Sequence, residues 1–170
     1  MTSWPDDIFS ALKSLDVRQV AYVPDSGHAR LIRMAHDDTA MRAVKLTTEE
    51  EGVAMLAGGW LGGQRGVLLM QSSGVGNCIN MLSLTRVCRF PLLALVTMRG
   101  EFAEFNPWQV PMGAATEAAL RLTDMQVMRT GTPQDAGEIV LAAARSVFLA
   151  GTATAVLLSQ RLVGAKVFVE

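Results

Sequence analysis

With 170 residues and 15 basic against 16 acidic side chains, the chain carries a net charge of −1 and shows no basic tract, which excludes nucleic acid and anionic membrane surfaces as its natural partners. Half of the residues are hydrophobic and only 18% are charged, below the roughly 25% of an ordinary soluble domain, so a large buried subunit interface is expected. The longest apolar runs, such as 90–98, fall far short of the roughly 18–20 residues of a membrane span.

The N-terminal MTSWPDDIF has neither a basic n-region nor an apolar h-region, so no signal peptide is expected. A helical pattern covers 5–15, and QVAYVP (19–24) reads as a strand. PDSGH (24–28) turns into a helix over 27–36, with Asp25 or Ser26 suited to cap it. His28 reads locally as a surface or capping residue.

The strand RAVKL (42–46) runs into TTEEEGVAMLAGG (47–59), helical over 49–62. At about 100° per residue, Val53, Leu56, Ala57 and Trp60 form one apolar stripe. Glu49 falls inside that stripe, Glu50 at its edge and Glu51 opposite. Thr48 and Glu51 have the spacing of a capping box. Residues 53–61 are apolar all round, so the helix is expected to be covered on several sides, with an acid at its mouth partly out of water. Periodicity does not choose between Glu49 and Glu50.

GVLLMQ (66–71) is a strand, and QSSGVGN (71–77) reads as a loop opening a helix over 76–88, able to aim backbone N–H groups at an anion. It is neither a Walker loop nor a dinucleotide fingerprint, since no Gly-Lys-Ser/Thr follows and Ile79 stands where a third glycine belongs. PLLALVT (91–97) is a strand. An irregular stretch follows over 98–113, then a helix over 114–122, the strand QVMRT (126–130), a helix over 134–150 between Pro133 and Gly151, and the strand TAVLLS (154–159). The two cysteines and two histidines make no metal-ligand cluster, and reduced thiols fit a cytoplasmic protein.

The alternation predicts one α/β domain over 1–170, a three-layer α/β/α arrangement of about six mostly parallel strands. Ligands of such sheets sit beyond the carboxyl ends of the strands. The segments 24–28, 47–51, 71–77 and 97–102 all leave strands in that sense and should converge.

E-E-G-V-A-M-L-A-G-G-W (50–60), then a strand, then Q-S-S-G-V-G-N-C-I-N (71–80), resembles the pyrimidine-binding (PYR) domain of thiamine-diphosphate enzymes. In that family a glutamate with an alanine seven residues on and a glycine nine residues on faces the cofactor; Glu50, Ala57 and Gly59 fit that register, while Glu49 has Gly58 but Leu56 in place of the alanine and Glu51 has neither. V-P-D-S (23–26), R-G-E (99–101) and N-P-W-Q-V-P-M-G (106–113) add a resemblance to sulfopyruvate decarboxylase α subunits and phosphonopyruvate decarboxylases, in matching order over roughly 15–130. Ser72 stands where asparagine is more usual, and the stretch Phe102–Trp108 differs from the phosphonopyruvate decarboxylase pattern.

The resemblance implies a PYR-type fold, bound thiamine diphosphate and Glu50 as the acid that activates its aminopyrimidine, so that the cofactor attacks a 2-oxo acid such as sulfopyruvate and carbon dioxide leaves. Ser73, Gly74, Val75, Gly76 and Asn77 would flank the cofactor. Asp25, Ser26, His28 and Arg99 would meet the substrate. The family's Gly-Asp-Gly segment, which holds the diphosphate through Mg²⁺, occurs nowhere in this sequence. A separate β-type subunit carrying it is therefore expected, in a hetero-oligomer with at least two copies of each chain. Two further readings stay open: a carboligase or lyase using the same half-site, and a non-catalytic assembly domain of the same fold.

Overall fold

The computed structural model describes residues 3–164. Six strands, β1 (Val17–Tyr22), β2 (Arg42–Lys45), β3 (Arg65–Gln71), β4 (Leu92–Thr97), β5 (Gln126–Thr130) and β6 (Ala153–Leu158), form one sheet in the order β2-β1-β3-β4-β6-β5. Every neighbouring pair is parallel. The helices are α1 (Trp4–Ser14), α2 (Ala29–Asp37), α3 (Glu49–Leu61), α4 (Ser72–Val87), α5 (Gln109–Leu122), α6 (Ala136–Ala150) and α7 (Gln160–Val163), with a 3₁₀ turn at Ser26–His28. Among the described residues no helix is long and apolar enough to cross a membrane.

The unbroken apolar runs of β3, β4 and β6 are explained by cover on both faces. Val67, Leu69, Leu93, Leu95, Val156 and Leu158 turn toward α1, α2 and α6. Leu68, Met70, Ala94, Val96, Ala155 and Leu157 turn toward α3, α4 and α5. The strand period of two thus divides one sheet between two cores. The edge strands β2 and β5 are only partly buried. α6 stops at Gly151, whose φ of 72° is the left-handed cap conformation that glycine adopts without strain.

Most element ends fall within two residues of their sequence positions, and two helix starts move further. α4 begins at Ser72, not 76, so QSSGVGN is a first helical turn and not a loop. Its glycines signal a turn locally, but tertiary contacts override that propensity. α5 begins at Gln109, not 114, because Pro111 sits in its first turn, where backbone N–H groups have no intrahelical partner to lose. The irregular stretch therefore shrinks to 98–108. The short α7 had no periodic signal.

α3 is covered on one side only. Glu49, Gly52, Val53 and Leu56 are buried, while Ala54, Gly58 and Leu61 are exposed. The expected cover on several sides is not supplied by the described residues.

Candidate functional site

The chain runs from β1 outward to β2, then back across to β3, which makes a switch point at the β1/β3 boundary. Segments leaving the strands at this edge are tied together. The Asp25 carboxylate accepts from Gln71 Nε2 (3.1 Å), Thr97 Oγ1 (2.7 Å) and the Gly27 backbone N–H (3.1 Å). Gln71 Oε1 in turn accepts from Ser73 Oγ (2.9 Å) and Gln109 Nε2 (3.2 Å). The ends of β1, β3 and β4 and the starts of α4 and α5 are thereby held in one network. Asp25 caps the 3₁₀ turn, as its sequence context suggests.

A cavity of about 260 Å³ opens beside this network, lined by Asp25, Ser26, Gly27, Thr97, Arg99, Val163 and Gly164. Asp25, Ser26 and Arg99, three of the residues expected at the substrate, thus share one space. Arg99 is only 5% exposed. Its Nε donates to Glu104 Oε2 at 2.6 Å and its Nη2 to Glu104 Oε1, a two-point pair, and the guanidinium lies 5.6 Å from the centre of the Phe105 ring. Glu104 also accepts from the N–H groups of Gly100 (3.2 Å) and Asn106 (3.0 Å) and from Gln160 Nε2 (2.9 Å). The Arg99 guanidinium, chiefly, holds the Glu104 carboxyl down at about 2, below its usual 4.5. Gln160 Oε1 takes the N–H groups of Glu101 and Phe102, both at 2.9 Å. The 98–108 stretch is therefore wrapped around one buried ion pair.

The three acids at the start of α3 have separate fates. Glu49 is buried, 7% exposed, and accepts from Asn77 Nδ2 at 2.9 Å. Glu51 reaches back to the N–H of Thr47 at 2.9 Å, while the Thr48 side chain makes no cap bond, so only half of the expected capping box forms and it is displaced by one residue. Glu50 is exposed, and among the described residues it makes no side-chain hydrogen bond or ion pair. The acid withdrawn from water is Glu49, the residue that helical phase placed within the apolar stripe. In α4's first turn, Gly74 and Val75 are buried and Gly76 and Asn77 exposed. Val75 belongs to the core beneath.

His28 lies away from the cavity. It is 1% exposed, and its Nε2 sits 3.1 Å from the Leu95 carbonyl oxygen and 3.3 Å from that of Met70. Two acceptors require Nε2–H, so Nδ1 is the bare nitrogen of the neutral ring; it has no partner among the described residues. The sequence reading as a surface residue is corrected: the turn tucks the ring under the sheet's edge. Burial pushes its proton affinity below the ordinary 6.5. The unfolded chain therefore binds a proton first as pH falls, so stability is lost from about pH 6.5 downward. Melting scans at pH 7 and 5 should show a drop in Tm that His28→Gln reduces; an unchanged drop in the variant would remove this role.

Gln71, Thr97, Gln109, Glu104 and Gln160 carry the site's architecture, yet none stands out in the sequence. Only the opposite charge of Glu104, five residues after Arg99 in an irregular segment, offers a signal.

The family profile described as thiamine pyrophosphate enzyme, N-terminal TPP binding domain, matches residues 4–103. The sulfopyruvate decarboxylase subunit alpha of Methanococcus maripaludis is 32% identical over 134 residues, 78% of this chain and 80% of that protein. The phosphonopyruvate decarboxylase of Streptomyces viridochromogenes is 39% identical over 122 residues, 71% of this chain but 31% of that longer protein. In structure, the benzoylformate decarboxylase of Polynucleobacter necessarius matches with a TM-score of 0.75 at 16% identity, over 100% of this chain and 32% of that one, a likeness of fold. The profile match over more than half of the chain and these relatives agree: the chain belongs to the thiamine pyrophosphate enzymes, through their N-terminal TPP-binding domain.

Proposed function

We propose that the whole chain, 1–170, is the pyrimidine-binding subunit of a heteromeric, thiamine-diphosphate-dependent 2-oxo acid decarboxylase. Sulfopyruvate or a similar 3-substituted pyruvate is its substrate, and Glu50 is the acid that meets the cofactor's aminopyrimidine. One observation carries the reading. Of three consecutive acids, Glu49 and Glu51 are engaged within the chain, and Glu50 alone is exposed without a partner among the described residues. The names of the relatives support the reaction and the division into subunits.

The residues present suit such a cofactor. Glu50, Ala54 and Gly58 stand four residues apart on one exposed stripe of α3, and a β-carbon built on Gly58 meets nothing within 4 Å. A flat ring and a second protein surface can approach that stripe closely. When bound, thiamine diphosphate supplies the electron sink that lets a 2-oxo acid lose carbon dioxide. Glu50's part is to hold and exchange one proton at its carboxylate, against a ring nitrogen. Ser73, Gly74, Val75, Gly76 and Asn77 border that place through α4's first turn, Val75 by its backbone only. Asp25, Ser26 and Arg99 orient the substrate in the cavity, while His28, bonded to the Met70 and Leu95 carbonyls, stands outside it. The diphosphate and its Mg²⁺ fall to a partner subunit with a Gly-Asp-Gly segment, in a cytoplasmic assembly of at least two copies of each chain.

The test is reconstitution. The chain with thiamine diphosphate, Mg²⁺ and sulfopyruvate should release no carbon dioxide; adding the partner subunit should start release. Turnover by the chain alone, or none with any 3-substituted pyruvate in the mixture, would overturn the proposal.

A further inference from the structure

Burying a carboxylate is unfavourable unless donors or a cation meet its charge. Glu49 is 7% exposed, no cation pairs with it among the described residues, and one side-chain donor, Asn77 Nδ2, reaches it at 2.9 Å. Helix capping does not account for this, because an acid on the exposed side of the first turn complements the helix dipole equally well, as Glu51 illustrates. The fit is made from both sides. A β-carbon built on Gly74 would overlap the Glu49 carboxylate, so α4 carries glycine where α3 inserts the acid, and Asn77, three residues on, clasps it. Cys78, the next residue of α4, is buried, and burial first, then the charges of Glu49 and Glu50, push its thiol up to about 12.

We propose that Glu49 is a positioning residue for Glu50: clasped by Asn77 and seated over Gly74, it locks the first turn of α3 to the first turn of α4 and fixes the direction in which Glu50 projects. Asn77's part in this lock is its bond to Glu49, beside its place at the border of the cofactor. The inference rests on Glu50 being the cofactor's acid, and the test separates the two.

In the complex with the partner subunit, thiamine diphosphate and Mg²⁺, Glu49→Ala is expected to lower kcat about a hundredfold, the scale of an ångström's misplacement of a reacting group, with KM for the 2-oxo acid unchanged. Glu49→Gln, whose amide oxygen still accepts from Asn77, should stay within about threefold of the parent. Hydrogen exchange on the same complexes without cofactor should quicken over 47–52 and 72–78 in Glu49→Ala and not in Glu49→Gln. Should Glu49→Ala fail to assemble, Asn77→Ala, at an exposed position, carries the test with a loss of about tenfold in kcat. Parent-level kcat in Glu49→Ala or Asn77→Ala overturns the proposal, as does a Glu49→Gln variant as impaired as Glu49→Ala. Full turnover by Glu50→Gln strikes instead at the proposed function, and leaves the exchange result to be read separately.

Discussion

Replacing Glu50 by glutamine is expected to remove nearly all turnover of the assembled complex and to leave the melting temperature of the chain where it was. The second half follows from geometry. Glu50 is exposed and makes no hydrogen bond or ion pair among the described residues, and substitutions at such positions stay within about 0.5 kcal/mol. The first half follows from the proposed role. An amide matches the carboxylate in shape but does not exchange a proton, and removing a positioned acid–base group lowers rates by about 10²–10⁴. Glu51→Gln is the control. It weakens the bond to the Thr47 N–H, a few tenths to about 1 kcal/mol of helix stability, and should leave kcat untouched. Steady-state assays beside melting curves for both variants decide the matter. Equal activity of Glu50→Gln and the parent would remove Glu50 from the chemistry, whatever the fold of the chain.

The sheet was legible in the sequence because its strands are covered on both faces. GVLLMQ and PLLALVT show no alternation, and β3 and β4 indeed bury residues into both cores. Helical phase alone put Glu49 on the inner side of α3, where the structure has it. The choice of Glu50 as the proposed acid rests on the family resemblance, through the register of Ala57 and Gly59, and the structure adds the physical contrast between a buried, clasped Glu49 and an open Glu50. The start of α4 was misread because glycine signals a turn when only local propensity is considered. Gly74 is there for a contact with Glu49, and that contact is a tertiary fact. The same holds for Arg99. Its fixed fork suits an anion, but no periodicity pairs it with Glu104 across an irregular loop, or brings Gln160 from beyond β6 to the same carboxylate. Residues that position a site through contacts distant in sequence leave no pattern to find.

Removing Glu104 should be the most destabilising single change at this edge of the sheet. The side chains of Arg99 and Glu104 are 6% and 4% exposed, so Glu104→Ala strands a buried guanidinium, a loss of about 3–5 kcal/mol. Removing both charges, as in Arg99→Leu with Glu104→Leu, relieves the stranded charge but does not restore the parent. Glu104 also satisfies the partly buried N–H groups of Gly100 and Asn106 and the buried Gln160 amide, and a buried donor left without an acceptor costs about 1–3 kcal/mol. The order of stability in urea should therefore be parent, double variant, Glu104→Ala. Acid supplies an independent check. The carboxyl of Glu104 is held at about 2 against an ordinary 4.5, so the folded state binds its proton later than the unfolded one. The pair's contribution is complete above about pH 4.5 and drains away as pH falls toward 2. Glu104→Gln should lose that segment of the acid-unfolding curve. Because the pair is shielded from solvent, added salt should change its contribution far less than that of the exposed Arg18–Asp16 pair. A Glu104→Ala variant within about 1 kcal/mol of the parent would mean that the 98–108 stretch is held by something other than this ion pair, and the wall of the cavity would need another explanation.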